Sequence, residues 1–322
     1  MTGIRAIIRK ELADHFSSYR FIILFALIAM VSLIITHMVG TNLRKELDSA
    51  VSIGSPGLQF VFLKIFTSSG PLSLVQFVVF FGPLIGLVLG FDSINRERSS
   101  GTLSKLASQP IYRDAIINGK FLSGVATIAI MVTSIVLVVS GLGITLIGVE
   151  PGIEELWRIV VYLIISIFYI SFWLGISILF SILFRGIATS ALATLAIWIF
   201  FLLFGFVGPS VVATSLVPLE TQESPERLMK HLRVQQIVSL VSPIQLYNES
   251  TAIIIDPMRK TTRSHVLMGR IERLSSARFR GSLALSQSIY VVLPHMITLI
   301  AITFICFGVS YAVFMKQEIR ST

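Results

Sequence analysis

Six stretches of the chain contain no Asp, Glu, Lys or Arg: Phe21–Leu43, Ile65–Phe91, Phe121–Val149, Ile159–Phe184, Gly186–Leu219 and Gly281–Met315. Each exceeds the ~20 helical residues that carry a chain across the hydrocarbon core of a bilayer. Trimmed at Gly, Pro and polar flanks, they predict six helices near 21–39, 72–91, 121–147, 159–184, 187–207 and 289–315. In lipid only helices or closed barrels satisfy the backbone, and these runs lack the alternation of barrel strands. Composition agrees: 13% of the 322 residues are charged and 54% hydrophobic, against about a quarter charged in ordinary soluble domains. The predicted fold class is an all-α membrane protein with six transmembrane helices, an N-terminal amphipathic interfacial helix and an external region of helices and loops between the fifth and sixth spans.

Six spans place both termini on one side. The tail, the second and fourth connections and the C-terminus carry Arg5, Arg9, Lys10, Arg20, Arg96, Arg98, Lys105, Arg113, Lys120, Arg185, Lys316 and Arg320. The short opposite loops carry Arg44, Lys45, Lys64 and Arg158. The fifth connection, about residues 208–288, has ten further basic residues, but loops beyond about 60 residues fall outside the positive-inside rule. The expectation is a multi-pass protein of the cell (plasma) membrane with both termini cytoplasmic and residues 208–288 extracytoplasmic. The basic start followed by an apolar run is not read as a signal peptide. The run is too long, and Thr36-His37-Met38-Val39 offers no small-residue cleavage site.

Before the first span, Ile4, Ile7, Ile8, Leu12 and Phe16 recur at helical spacing opposite Arg5, Arg9, Lys10 and Asp14. This is the pattern of a helix lying in the membrane surface over residues 1–20. In the second connection, 92–120, Ser99, Ser100 and Thr102 can cap a short helix whose apolar face is Leu103, Leu106 and Ala107 and which Pro110 stops. In the long connection, Leu232 to Val241 predict a helix broken at Ser242-Pro243, after which an apolar stretch resumes from Leu246 and ends at Asp256-Pro257. Residues 257–280, with seven basic residues and Glu272, read equally as a small external cap or a loop.

Several chemistries lack their residues. The trimmed spans hold no Asp, Glu, Lys or Arg, which argues against a proton- or sodium-coupled carrier and places the energy source elsewhere. No G-x-x-x-x-G-K-[ST] loop and no H-E-x-x-H occurs, so neither a P-loop ATPase nor a zinc protease of that kind is expected. Glu154-Glu155-Leu156-Trp157-Arg158 reads as a helix start with favourable acidic residues. His37, His295 and Met296 read as packed or hydrated rather than as metal ligands. Cys306 is the only cysteine. No disulfide, metal site or cofactor is expected in this chain, and no nucleic-acid partner.

The cytoplasmic segment Glu97-Arg98-Ser99-Ser100-Gly101-Thr102-Leu103, then Ser108-Gln109-Pro110-Ile111-Tyr112-Arg113-Asp114 and Gly119-Lys120-Phe121-Leu122, resembles the hallmark of ABC-2 type transporter permeases between their second and third helices. The basic lead-in, six helices and enlarged outer region agree with that fold over nearly the whole chain. Ser242-Pro243, Leu246-Tyr247-Asn248-Glu249 and Gln317-Glu318-Ile319-Arg320 look like the branch labelled for multicopper-enzyme maturation, such as the nitrous-oxide-reductase accessory permease. Copper-ligand residues are missing, so the branch label is not read as a substrate.

The resemblance implies that residues 97–110 form a coupling helix docking into a separate ATP-binding subunit, which holds the ATP and Mg. Glu97, Arg98, Ser100, Gly101, Thr102, Leu103, Gln109, Pro110 and Arg113 are the expected contact residues. It also implies a second permease chain, identical or not, and makes the lead-in helix a connecting helix that transmits motion. The expected function is the non-enzymatic permease subunit of an ATP-driven transporter, an exporter. The alternative is an ATPase-linked membrane protein that passes force to an external partner through residues 208–288 without transport.

Overall fold

The computed structural model describes residues 2–53, 60–67, 73–102, 112–218, 225–258 and 282–317. Among these the regular elements are all helical: α1 (Thr2–Ser17), α2 (Tyr19–Ile53), α3 (Lys64–Thr67), α4 (Leu74–Gly90), α5 (Asn95–Ser99), α6 (Arg113–Ile147), α7 (Ile153–Leu183), α8 (Ile187–Leu216), α9 (Pro225–Ser239), α10 (Pro243–Ile255) and α11 (Leu285–Lys316). Six are long and apolar enough to cross a membrane, and they fall on the six uncharged runs. Their boundaries differ because charged residues at span ends still hydrogen-bond into the helix. The third span starts at Arg113 rather than 121, and the fourth at Ile153 rather than 159.

Local chemistry sets several ends. The Ser73 hydroxyl accepts from the Gln76 backbone N–H and caps α4. Gly148, at φ +74°, closes α6 in the left-handed conformation that glycine tolerates. Glu155 reaches back to accept from the Gly152 N–H at 2.8 Å, opening α7 with two acids in its first turn. The acidic pair therefore acts as a helix start, as its sequence suggests.

The centre of the bundle is α7, flanked by α4 and α11 running in the same direction. Tyr169 donates to the Val79 carbonyl at 2.9 Å and Ser177 to the Leu87 carbonyl at 3.1 Å. On the other flank Thr303 donates to Phe168 O, Ser310 to Gly175 O and Gln317 Nε2 to Ile182 O, each pair 135 residues apart in sequence. A constant offset means these helices run parallel without slipping. Gly82, Gly86 and Gly90 recur every fourth residue on the α4 face that meets α7, the small-residue spacing that lets membrane helices touch backbone to backbone. At Gly86 a Cβ would lie 2.7 Å from Leu174 N and 2.9 Å from Ile170 O.

The chain breaks at Ser242-Pro243 as expected, but α10 does not sit on the end of the bundle as one external region over 208–288 implies. Tyr247 hydrogen-bonds Ser166 at 2.9 Å and stacks on Tyr169 with ring centroids 4.4 Å apart. Ser166 is thirteen residues into α7, roughly 20 Å along it at 1.5 Å per residue. The α10 helix is buried nearly all round, but at 13 residues it is too short to register as a span. The basic segment, apart from its first two residues, lies outside the described residues.

Candidate functional site

At the end of the bundle where α4 leaves the membrane region, α5 follows after a short turn at 91–94, anchored by two backbone N–H groups. Ile94 and Asn95 both donate to the Ser181 hydroxyl, at 3.0 and 3.2 Å, and Asn95 Nδ2 donates to Gly186 O. Helix α5 is thereby fixed to the C-terminal end of α7 and the start of α8. Its single turn places Glu97 inward and Ser99 and Ser100 outward.

Glu97 meets a lysine that the sequence presents as a span flank. Lys120, 4% exposed, lies about two turns into α6. Its Nζ donates to Glu97 Oε1 and to Glu11 Oε1, both at 2.9 Å. Lys10 Nζ reaches the same two oxygens at 2.9 and 3.3 Å and Asp14 at 3.1 Å. Two lysines and two buried carboxylates from α1, α5 and α6 thus form one network. Burial opposes charge on Glu11, but Lys120 and Lys10 outweigh it and hold its pKa below the usual value. Partial burial likewise opposes charge on Lys10, and Glu11, Glu97 and Asp14 outweigh it and raise its pKa. His15, on the next turn of α1, is held in the neutral direction by burial.

The lead-in helix is therefore more than a float on the lipid surface. Its Ile7–Glu11 edge is pressed on α6, where Gly119 leaves room: a Cβ there would come within 2.6 Å of Ile7 Cγ2. Amphipathicity predicts the helix, and the protein takes part of the apolar face that the sequence reading assigns to lipid.

The remaining expected residues divide into two groups. Arg98 and Arg113 turn to the last helix: Arg98 Nη2 donates to Gln317 Oε1 at 2.6 Å, and Arg113 Nη2 to Gln317 O at 2.6 Å and Phe314 O at 3.1 Å. The Arg113 guanidinium also lies over the Phe314 ring, 5.5 Å from its centroid. Ser100, Gly101 and Thr102 are exposed. The Ser100 hydroxyl bonds Arg96 O and Thr102, and Gly101 turns the chain at φ +68° with open space where a Cβ would stand. Leu103, Gln109 and Pro110 lie outside the described residues. Glu97 and Arg98, expected to make charged contacts with a partner, bond within the chain, Glu97 to Lys120 and Arg98 to the Gln317 side chain.

Charge is also buried at the opposite end. Arg158, fully buried, donates to Glu154 at 2.8 Å, to Ile254 O at 2.9 Å and to Ser288 Oγ at 3.2 Å, tying α7, α10 and α11. Deeper along α11, His295 Nε2 lies 2.9 Å from Glu249 Oε2 of α10, while Gln245 donates to the other Glu249 oxygen. The His–Glu contact is close in distance but off the hydrogen-bond axis, so neither atom has an aligned partner. His295, read as packed or hydrated, is packed, and the carboxylate it meets comes from α10 rather than from a trimmed span. Glu249 falls in a segment that length assigns to the outside, so no inspection of the spans could find it. Among the described residues no group of three or more His, Cys, Asp or Glu could hold a metal ion.

No curated protein matches the chain. The family model described as "ABC-2 family transporter protein" matches residues 5–319, a span that begins within α1 and includes α5, Lys120 and Gln317. The chain belongs to the ABC-2 transporter family, and it is the membrane subunit of an ABC transporter.

Proposed function

We propose that the chain is the permease subunit of an ATP-driven exporter in the plasma membrane, with both termini cytoplasmic, working as two permease chains with two ATP-binding chains. A partner ATPase, holding ATP and Mg, docks on the exposed surface of Ser100, Gly101 and Thr102, with Leu103, Gln109 and Pro110, outside the described residues, as its further contact residues. The observation that carries this reading is the shared ion network of Lys120. It joins the segment beneath that surface to α1 and α6, so a push on residues 95–102 is delivered to both. Arg98 and Arg113 pass the same push to α11 through Gln317. Glu97 and Arg98 thus transmit from inside the chain rather than touch the partner.

ATP-driven closure of the partner subunits would move α5 as one body with the ends of α4, α6, α7 and α11 and rock the bundle between two states. Gly101→Val tests the docking surface. Valine has room for its side chain but not for φ +68°, so the turn must relax while the buried network stays intact. The expected result in the purified permease–ATPase complex is loss of transport-linked ATPase stimulation with basal hydrolysis retained. Unchanged stimulation with unchanged assembly would refute the docking surface.

A further inference from the structure

Between α1, the start of α2 and the end of α4 lies an open cavity of about 1030 Å³. One wall is apolar and comes from membrane-spanning helices: Phe21 of α2, Val88 and Leu89 of α4, and Ile187 of α8. The other wall is charged. Its four carboxylates are Glu11, Asp14, Asp92 and Glu97, and each already has a cation: Lys120 and Lys10 serve Glu11 and Glu97, Lys10 serves Asp14, and Arg20 serves Asp92 at 3.2 Å. Arg96 also lines the cavity and is exposed, and among the described residues its guanidinium has no ion pair and no side-chain hydrogen bond.

We propose that this cavity binds a membrane phospholipid from the adjoining leaflet, its phosphate on Arg96 and its first acyl carbons against Phe21, Val88 and Leu89. Three features select that occupant. The apolar wall consists of residues within two positions of the ends of spanning helices, at the level where hydrocarbon gives way to headgroups. Three cations, Lys10, Lys120 and Arg20, hold the four acids, and none of the four reaches Arg96, so its guanidinium is the donor left for an anion. A guanidinium suits a phosphate because its fork of donors matches two phosphate oxygens. A soluble anion alone would have no use for the apolar wall, and a diacylglycerol none for Arg96. Because Ser100, Thr102 and Glu97 form part of the same rim, a lipid seated here would lie against the segment assigned above to ATPase docking. The site itself rests on the membrane placement and not on that assignment.

The test uses the purified permease–ATPase complex in detergent, with native mass spectrometry after addition of phosphatidylglycerol. The expected result is one retained lipid per permease chain. Arg96→Ala, which breaks no described contact, and Val88→Trp, which sets an indole on the apolar wall where the first acyl carbons would lie and leaves every charge, should each weaken retention at least tenfold. Glycerol phosphate and diacylglycerol should not compete. Equal retention in wild type and both variants would overturn the proposal. So would competition by glycerol phosphate at the lipid's own concentration, which would assign the site to a soluble phosphate. A photo-crosslinking group at position 96 that labels the ATPase polypeptide instead of lipid would also overturn it. Assembly and basal ATPase turnover, measured on the same variants, report on the docking surface separately: they should stay unchanged while lipid retention falls.

Discussion

Lys120→Met should release the lead-in helix from the bundle. Methionine roughly keeps the volume of the buried stem and removes only the charge, leaving Glu11 and Glu97, 7% and 8% exposed, without their shared buried cation. Removing one partner of a buried ion pair costs about 3–5 kcal/mol. Lys10 still touches both carboxylates, at 2.9 and 3.3 Å, so the lower end of about 3 kcal/mol applies. At 1.36 kcal/mol per tenfold this is roughly a hundredfold rise in the undocked population of α1. Hydrogen exchange reads it directly: amides over residues 4–12 should exchange about a hundredfold faster in the variant while amides in the middle of α7 hold their rates. The triple variant Glu11→Gln, Glu97→Gln, Lys120→Met removes the uncompensated charges and should restore most of the protection, because apolar or neutral replacement of a whole buried network is often close to neutral. Its ATPase stimulation should nevertheless stay low if the charges, rather than the fold, link α5 to α1 and α6. Wild-type exchange in Lys120→Met would refute the network as the anchor of α1, and full stimulation in the triple variant would refute it as the link.

Docking of α1 should also depend on pH in two steps. His15 has a folded pKa below its ordinary 6.5, so its contribution is complete above pH 6.5 and falls away as the pH drops below that value. Glu11, depressed from 4.5, contributes fully above pH 4.5 and is lost only as pH falls through its lowered value. Protection factors of the α1 amides, with the intrinsic pH dependence of exchange divided out, should therefore begin to fall below pH 6.5, and His15→Phe should abolish that first step alone. Gly86→Ala should destabilise by about 1–3 kcal/mol, because the clash is with the backbone of α7 and no side chain can move aside; thermal unfolding of the purified protein without a shift would count against the close approach. Glu249→Gln and His295→Gln should be non-additive by about 0.5–3 kcal/mol in a double-mutant cycle of unfolding, and simple additivity would show that the 2.9 Å contact carries no energy.

The spans were legible because their signal is collective: twenty or more uncharged residues in a row leave a chain no other stable course in lipid. The short helix α10 was half legible. Ser242-Pro243 announced its start, but its burial depends on Tyr247 finding Ser166 and Tyr169, partners about 80 residues earlier, and periodicity within one segment carries no such information. Lys120 and Arg158 illustrate a different loss. Each stands at the edge of an uncharged run, where topology alone explains a basic residue, so the sequence offers no reason to look further. Their partners, Glu11 and Glu97 in one case and the Ile254 carbonyl and Ser288 in the other, come from elements that meet only in the fold. The family hallmark did point to Glu97 and to Gly119-Lys120, but it could not say that these residues touch.

That contact changes what the hallmark means physically. If Glu97 were a surface carboxylate, its salt bridge to a partner would be worth at most about 1 kcal/mol, too little to move a bundle. Buried against Lys120, the same carboxylate resists separation by several times that amount, so α5 cannot shift without carrying α6 and α1 along. The constant 135-residue register between α7 and α11 adds the complementary constraint: these helices are bonded at three levels and must move together rather than slide. A displacement applied at residues 95–102 therefore divides between two groups. Through Lys120 it pulls on α6 and the surface helix, and through Ser181, Arg98 and Gln317 on α7 and α11. Helix α8 is tied to this end by only one such described bond, from Asn95 to Gly186 at 3.3 Å. The lag should therefore develop between α8 and the rest, with α9 following α8 because His231 is tied to the Val217 carbonyl. Distance measurements between spin labels on α8 and α11, with and without ATP in the complex, should change more than those between α7 and α11.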